Sequence, residues 1–173
     1  MIKRSSRVVA AGRMASIARR LLDASTLCAI ATVGSDGRAH INTAYFAWSA
    51  EFDVVWLSEP HAKHSKNIRA NESAAISVFD SHQRWGRPDR GIQLFGNARE
   101  AGETAQDVYA ARFPEYDATS FSAYRFYVCR PRRLKLFDER ELGSGRFVTA
   151  RVLRGGRLVW ERTDVYRSSN VRS

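Results

Sequence analysis

The sequence predicts an α+β domain built on an antiparallel β-barrel of six to eight strands with flanking helices. Three observations lead to this prediction: short β-prone runs recur along the chain, glycine-containing turns join several of them, and only two or three segments have helical spacing. Strands joined by tight turns pair in antiparallel fashion, and closing such a sheet into a barrel removes its exposed edges.

The first half of the chain is predicted to form a helix and then a three-stranded meander. Apolar residues at helical spacing, with arginines on the opposite side, predict a helix over residues 13–24. These apolar residues are Met14, Ile17, Ala18, Leu21 and Leu22. Strands are predicted over residues 26–33, 39–48 and 52–58, and Ser35-Asp36-Gly37-Arg38 has the Asp-Gly pattern of a hairpin turn. Residues 61–71 then form a short helix of two or three turns.

The second half is predicted to be mostly strand. Strands are expected over residues 73–80, 91–100 and 124–137, a loop over 81–90, a helix over 103–112, and a last hairpin of 147–153 and 158–161. Phe113-Pro114 ends the helix because proline disfavours helical geometry in the residue before it. Pro131 inside the long strand indicates a bulge or an edge position.

Length and composition indicate one globular domain. A chain of 173 residues is long enough for one hydrophobic core, and 44% hydrophobic residues exclude a disordered chain. Repeats and linkers are absent from the sequence. We therefore expect a flexible basic arm over residues 1–12, a single domain over 13–162 and a flexible tail over 163–173.

The expected location is the cytoplasm. No apolar run approaches the ~20 residues that cross a bilayer, and residues 1–20 lack the apolar block of a signal peptide. Cys28 and Cys129 lie in apolar stretches, which favours buried thiols in a reducing compartment over a disulfide.

The net charge of +10 raises the question of a nucleic-acid partner. Arginine binds phosphate well, but a GC-rich coding bias also produces an arginine-rich chain. The basic residues are spread along the chain rather than gathered in one stripe, apart from the two termini. Nucleic acid is therefore not the expected main partner.

No motif in the sequence indicates self-sufficient catalysis. The four histidines, His40, His61, His64 and His82, do not match a zinc-binding pattern, so no metal site is predicted. The nucleophile elbow and both glycine-rich phosphate loops are also missing from the sequence. Any chemistry would belong to a bound cofactor, and the catalytic residues stay unassigned.

One segment has the pattern of a phosphate site. The strand over residues 52–58 leads through Glu59-Pro60 into a helix whose first turn carries Lys63, His64 and Lys66. Free amide groups and the positive end of a helix dipole attract an anion. The alternative is an exposed basic first turn, and the pattern alone does not separate the two.

Several motifs in a fixed order resemble the pyridoxamine 5′-phosphate oxidase-like family. They lie between about residues 20 and 138: Leu27-Cys28-Ala29-Ile30-Ala31-Thr32-Val33, Asp36-Gly37-Arg38-Ala39-His40, Trp56-Leu57-Ser58, Lys63-His64, Asn67-Ile68, Asn71-Glu72 and Gly91-Ile92-Gln93-Leu94-Phe95-Gly96-Asn97-Ala98. An Asn in the second strand, Lys63-His64 and Arg112-Phe113-Pro114 make the chain more similar to an uncharacterised bacterial branch than to the namesake oxidase. The resemblance implies an FMN-binding split barrel that forms a homodimer with flavin at the subunit interface.

The same resemblance implies a set of FMN-binding residues. They are Asn42, Thr43, Ala44 and Tyr45 along the ring and ribityl chain, Leu57 and Ser58 beside the ribityl-phosphate, Lys63 and His64 on the phosphate, and Gln93 facing the flavin from a neighbouring strand. Core packing is the alternative for Tyr45 and Leu57, and an outward-facing strand position is the alternative for Gln93.

The chain departs from the namesake oxidase at its substrate motif. That enzyme has a C-terminal Arg-Leu-His, whereas Leu136-Phe137-Asp138-Glu139-Arg140 stands here with no Arg-Leu-His after it. Pyridoxamine phosphate is therefore not the expected substrate. The resemblance implies a flavin-dependent oxidoreductase acting on a small organic substrate. The alternatives are an F420-dependent reductase and a non-catalytic module that stores flavin or binds nucleic acid.

Overall fold

The computed structural model describes residues 2–166, which form nine strands and four α-helices. In chain order these are β1 (Ile2–Ser5), α1 (Ala11–Asp23), β2 (Leu27–Val33), β3 (Ala39–Trp48), β4 (Val54–Ser58), α2 (Lys63–Ala70), β5 (Ser73–Val78), β6 (Arg90–Ala101), α3 (Glu103–Arg112), β7 (Arg125–Asp138), α4 (Glu139–Leu142), β8 (Arg146–Val152) and β9 (Leu158–Tyr166). A single 3₁₀ turn, Arg154–Gly156, joins the last two strands.

Six of the strands close into a barrel. Their order is β7-β4-β3-β2-β5-β6, every neighbouring pair is antiparallel, and β6 pairs back onto β7. The remaining strands extend the sheet from the second half of β7 in the order β8-β9-β1. The predicted α+β split barrel with flanking helices is confirmed.

β7 is bulged at Pro131, as predicted, but it is not an edge strand. It pairs with β4, β6 and β8, and the register against β6 shifts between Phe95 and Gly96, with Gly96 opposite Pro131. Proline has no N–H to give to a ladder, so the shift falls where a hydrogen bond is missing anyway. A Cβ at Gly96 would overlap the carbonyl of Arg130, so this close approach requires glycine.

The main core lies inside the barrel and beneath α1. The five apolar residues predicted to line one face of this helix are all buried against β6, β7 and β9. A second apolar cluster packs α3 on the outside of β4 and β7. None of the helices within residues 2–166 has the length and apolar character to cross a bilayer.

The structure differs from the predicted arm, tail and third strand. Residues Ile2–Ser5 pair with β9 instead of forming a flexible arm, and β9 continues to Tyr166, past the predicted domain end at residue 162. Residues 167–173 of the predicted tail lie outside the described range. β4 begins at Val54 rather than at residue 52, because Phe52 lies in a turn and adopts a left-handed φ of 69°. The Ser49 hydroxyl stabilises this turn by accepting hydrogen bonds from the N–H groups of Glu51 and Asp53.

Candidate functional site

The barrel is split between β3 and β4. These strands pair at three positions only, Phe46 with Trp56, Ala47 with Val55 and Trp48 with Val54. Over residues 39–45, β3 pairs with β2 on one side, and no strand of the described chain covers its other edge. An unpaired strand edge presents free backbone N–H and C=O groups, and here that edge borders a cavity of about 590 Å³.

Four structural elements line this cavity. β3 contributes Asn42, Thr43, Ala44 and Tyr45; β4 contributes Leu57 and Ser58; α2 contributes His64; and α3 with the segment after it contributes Tyr109, Phe113, Glu115, Tyr116, Phe121 and Tyr124. Six of these thirteen residues are aromatic, and Ser58 and His64 form a polar end where β4 meets α2.

The first turn of α2 lies at this polar end. The helix begins at Lys63 directly after the turn that follows β4, and no side chain caps its first N–H groups. These amides have no intrahelical partner by geometry. The turn is held by Ser65, whose hydroxyl donates to the carbonyl of Glu59 at 2.8 Å. The arrangement presents amides and the positive end of the helix dipole beside the cavity.

His64 is fixed by a hydrogen bond to β4. Its Nε2 lies 2.7 Å from the Ser58 hydroxyl, and both side chains are buried. Burial lowers the pKa of His64 below its usual value, and the nearby His40 lowers it further. The two imidazole rings are parallel, with 6.3 Å between centroids. His64 is therefore neutral at pH 7.

The cavity lining carries little charge, despite the basic sequence. Glu115 is the one carboxylate among the lining residues, and none of them is a lysine or arginine. Lys63 and Lys66 are exposed on α2, next to the cavity rather than in it. Within residues 2–166, no cluster of three or more His, Cys, Asp or Glu side chains is arranged to hold a metal ion.

The structure brings together seven of the nine predicted cofactor residues. Asn42, Thr43, Ala44, Tyr45, Leu57, Ser58 and His64 all line the cavity. Lys63 adjoins it as the exposed first residue of α2. Gln93 does not line it: on the outer surface of the sheet it pairs with Ser77, and it borders a shallower cavity of about 170 Å³.

Sequence reasoning missed the wall contributed by α3 and residues 113–124. Tyr109, Phe113, Tyr116, Phe121 and Tyr124 all face the cavity. The available signal was the density of aromatic residues in a stretch otherwise rich in Ser, Thr, Asp and Ala. Loops often carry binding residues, and aromatic side chains supply large apolar contact surfaces.

Fold and cavity together define a split-barrel protein with its candidate site at the split. Residues 16–138 match the family model of pyridoxamine 5′-phosphate oxidase. The chain belongs to this family, which confirms the resemblance found in its motifs.

Three solved structures show the same fold at low sequence identity. A heme binding protein from Mycobacterium smegmatis is 17% identical with a TM-score of 0.65, and the match covers 86% of this chain and 61% of that one. A FAD-binding protein from Mesorhizobium loti is 18% identical with a TM-score of 0.56, covering 78% and 95%. An F420 reductase is 23% identical with a TM-score of 0.52, covering 67% and 94%. None of the curated proteins matches the sequence significantly.

Proposed function

We propose that this protein binds FMN in the cavity at the split and acts as a flavin-dependent oxidoreductase on a small organic substrate. One observation carries the proposal: the free edge of β3 and the uncapped start of α2 converge on the same cavity. Its volume of about 590 Å³ lies in the range of small-molecule sites. Family membership and the FAD-binding neighbour support a flavin as the ligand.

The free edge of β3 suits the flavin ring. A flavin carries carbonyl oxygens and ring nitrogens along one side, and a strand edge offers free backbone N–H and C=O groups to bind them. Asn42 and Thr43 lie on this edge, with Tyr45 at its aromatic end. The ring would therefore be held by backbone groups that depend little on side-chain identity.

The start of α2 suits the phosphate. Ser58 and His64 supply a hydroxyl and an imidazole, the first-turn amides supply further donors, and Lys63 supplies positive charge from the solvent side. His64 is neutral without a ligand, so Lys63 is the main source of positive side-chain charge.

When bound, the flavin would supply the chemistry of hydride transfer. The residues of the chain would position the cofactor and exclude water from its ring. Leu57 and the aromatic residues of the opposite wall provide the apolar surface for this purpose.

We also propose that the protein is a homodimer, with the second copy covering the outer face of β3-β2-β5-β6. This outer face consists of two rows of residues in register: Thr43, Ala29, Ser77 and Gln93, and Ile41, Ala31, Ala75 and Phe95. Ile41 is 68% exposed and Phe95 is 41% exposed, and the small residues between them leave the surface flat. Thr43 belongs both to this face and to the cavity lining, so a second copy here would approach the flavin and bring Gln93 to the interface.

The absorbance spectrum of the purified protein tests the cofactor. We expect a yellow protein that releases FMN on heating and rebinds it at one equivalent per chain. If the protein releases F420 instead, as the similarity to an F420 reductase suggests, the proposed binding site stands and the proposed cofactor is wrong. A protein that binds neither flavin after reconstitution but binds DNA in a salt-sensitive way would overturn the proposal.

Light scattering with size exclusion tests the dimer. Ala31→Arg places a charge in the middle of the outer face and should give a monomer with weakened FMN binding. Ala111→Arg, on an exposed position of α3, is the matched control and should stay dimeric. A monomeric parent protein that still binds FMN tightly would contradict the dimer.

A further inference from the structure

The cavity has a continuous aromatic wall, which we define as Tyr109, Phe113, Tyr116, Phe121 and Tyr124. Each ring touches the next. The centroids of Tyr109 and Phe113 are 4.8 Å apart, those of Tyr109 and Tyr116 are 5.6 Å apart, and Phe121 bridges Tyr116 and Tyr124 at 5.9 and 5.5 Å. Such a set presents both ring faces and ring edges to a ligand.

Hydrogen bonds hold both ends of the aromatic wall in place. The Asp117 carboxylate accepts bonds from the backbone and hydroxyl groups of Thr119 and Ser120, which lower its pKa to about 2. At the other end, the Arg112 guanidinium donates to the carbonyls of Leu22 and Ser25. A wall held in this way loses little freedom when a ligand binds.

Two arginines, Arg112 and Arg125, adjoin the aromatic wall, but neither lines the main cavity. Glu115 is the one carboxylate that lines the cavity. Burial raises the pKa of the Tyr109 phenol, and the negative charge of the nearby Glu115 raises it further. Arg125 at the start of β7 is occupied elsewhere, because it donates to the carbonyls of Ser122 and Tyr124 and faces Glu100. Aromatic faces attract cations, and a nearby carboxylate adds to this attraction.

We infer that the substrate of this cavity is a planar aromatic molecule carrying a positive charge. Its ring would stack on the aromatic wall and its cationic end would lie toward Glu115. The inference rests on the proposed function in that the same cavity holds the flavin, whose phosphate would lie at the opposite, α2 end. An anionic group placed at the aromatic wall, away from the start of α2, would meet no lysine or arginine among the lining residues.

Three probes of similar size and different charge test the inference: benzylammonium, benzyl alcohol and benzoate. Their binding to the FMN-loaded protein is measured by calorimetry at constant ionic strength, with the shift of the flavin absorbance as a second readout. We expect the cation to bind at least about fivefold more tightly than the alcohol, and benzoate to bind most weakly. Equal or tighter binding of benzoate, or no binding of any probe, would overturn the inference.

Single-residue variants test whether the cation binds beside Glu115 and the aromatic wall. Glu115→Gln should weaken binding of the cation by about two- to fivefold, as expected for an exposed charge pair, and leave benzyl alcohol unchanged. Asp107→Asn removes the same charge from an exposed position of α3 that does not line the cavity, and it should change neither. Tyr116→Leu should weaken the binding of both the cation and benzyl alcohol. Cation binding unaffected by Glu115→Gln and Tyr116→Leu, in variants with the parent's melting temperature, would refute this location.

The outcomes separate this inference from the proposed function. If the protein binds no flavin, the probes are measured on the flavin-free protein, and the order cation, alcohol, benzoate would still support a site for aromatic cations. If FMN binds but the order differs, the inference fails and the proposed function stands.

Discussion

Lys63 provides the sharpest test of the phosphate site. In a dry site, a charge-assisted hydrogen bond contributes about 1.5–3 kcal/mol. Lys63 is exposed at the start of α2, so solvent screens its charge and the contribution falls to about 1 kcal/mol. Lys63→Ala should therefore weaken FMN binding by about fivefold. Riboflavin lacks the phosphate, so its affinity should not change. Titration of flavin fluorescence with both ligands measures the two effects.

Lys66→Ala is the matched control for this experiment. Lys66 is also exposed and lies one turn further along α2, where its N–H already bonds to the carbonyl of Ala62. Its removal should change FMN affinity less than the removal of Lys63, and raising the salt concentration should shrink the difference. An equal loss of FMN and riboflavin in Lys63→Ala, or no loss of either, would show that the phosphate lies elsewhere.

Three further predictions concern pH, packing and thiol chemistry. Because the folded state holds the pKa of His64 below its usual 6.5, the unfolded state takes up a proton first, and stability should fall as the pH drops below 6.5. Denaturant titrations at pH 7.5 and 5.0 should show a smaller fall in His64→Gln, and an equal fall would contradict this reasoning. Gly96→Ala should lower the free energy of unfolding by about 1–3 kcal/mol through its clash with the backbone, whereas Gly12→Ala, in open space on α1, should raise it slightly. Burial raises the pKa of Cys28 and of Cys129 to about 12, so iodoacetamide should label both thiols only in urea, and rapid labelling of the native protein would show that the core opens.

Local patterns were sufficient for most of the secondary structure. The apolar spacing of α1 predicted its buried face residue by residue, and Asp36-Gly37 predicted the first hairpin, where Gly37 has a φ of 76°. These predictions succeed because helical spacing and left-handed turns depend on residues close together in the chain. The segment Ile2–Ser5 has no such pattern, because its pairing with β9 joins opposite ends of the sequence.

The candidate site was predicted only in part, because some of its residues are distant from the others in the chain. Family motifs identified β3, β4 and the start of α2, which follow one another closely in the chain, and seven of those residues line the cavity. The aromatic wall arises some fifty residues later in the chain and carries no motif. It reaches the site because α3 packs on β3 and β4.

The sequence by itself determined the class of fold, the strand and helix segments and the family. These properties are encoded in hydrophobic spacing, turn residues and short motifs, which are read within a few residues of one another. Only the tertiary structure decided where the barrel splits, that Gln93 lies on the outer face, and that no lysine or arginine lines the cavity in a chain of net charge +10. Strand pairing across long loops sets these features, and the free energy of such pairing depends on the whole barrel rather than on any one segment.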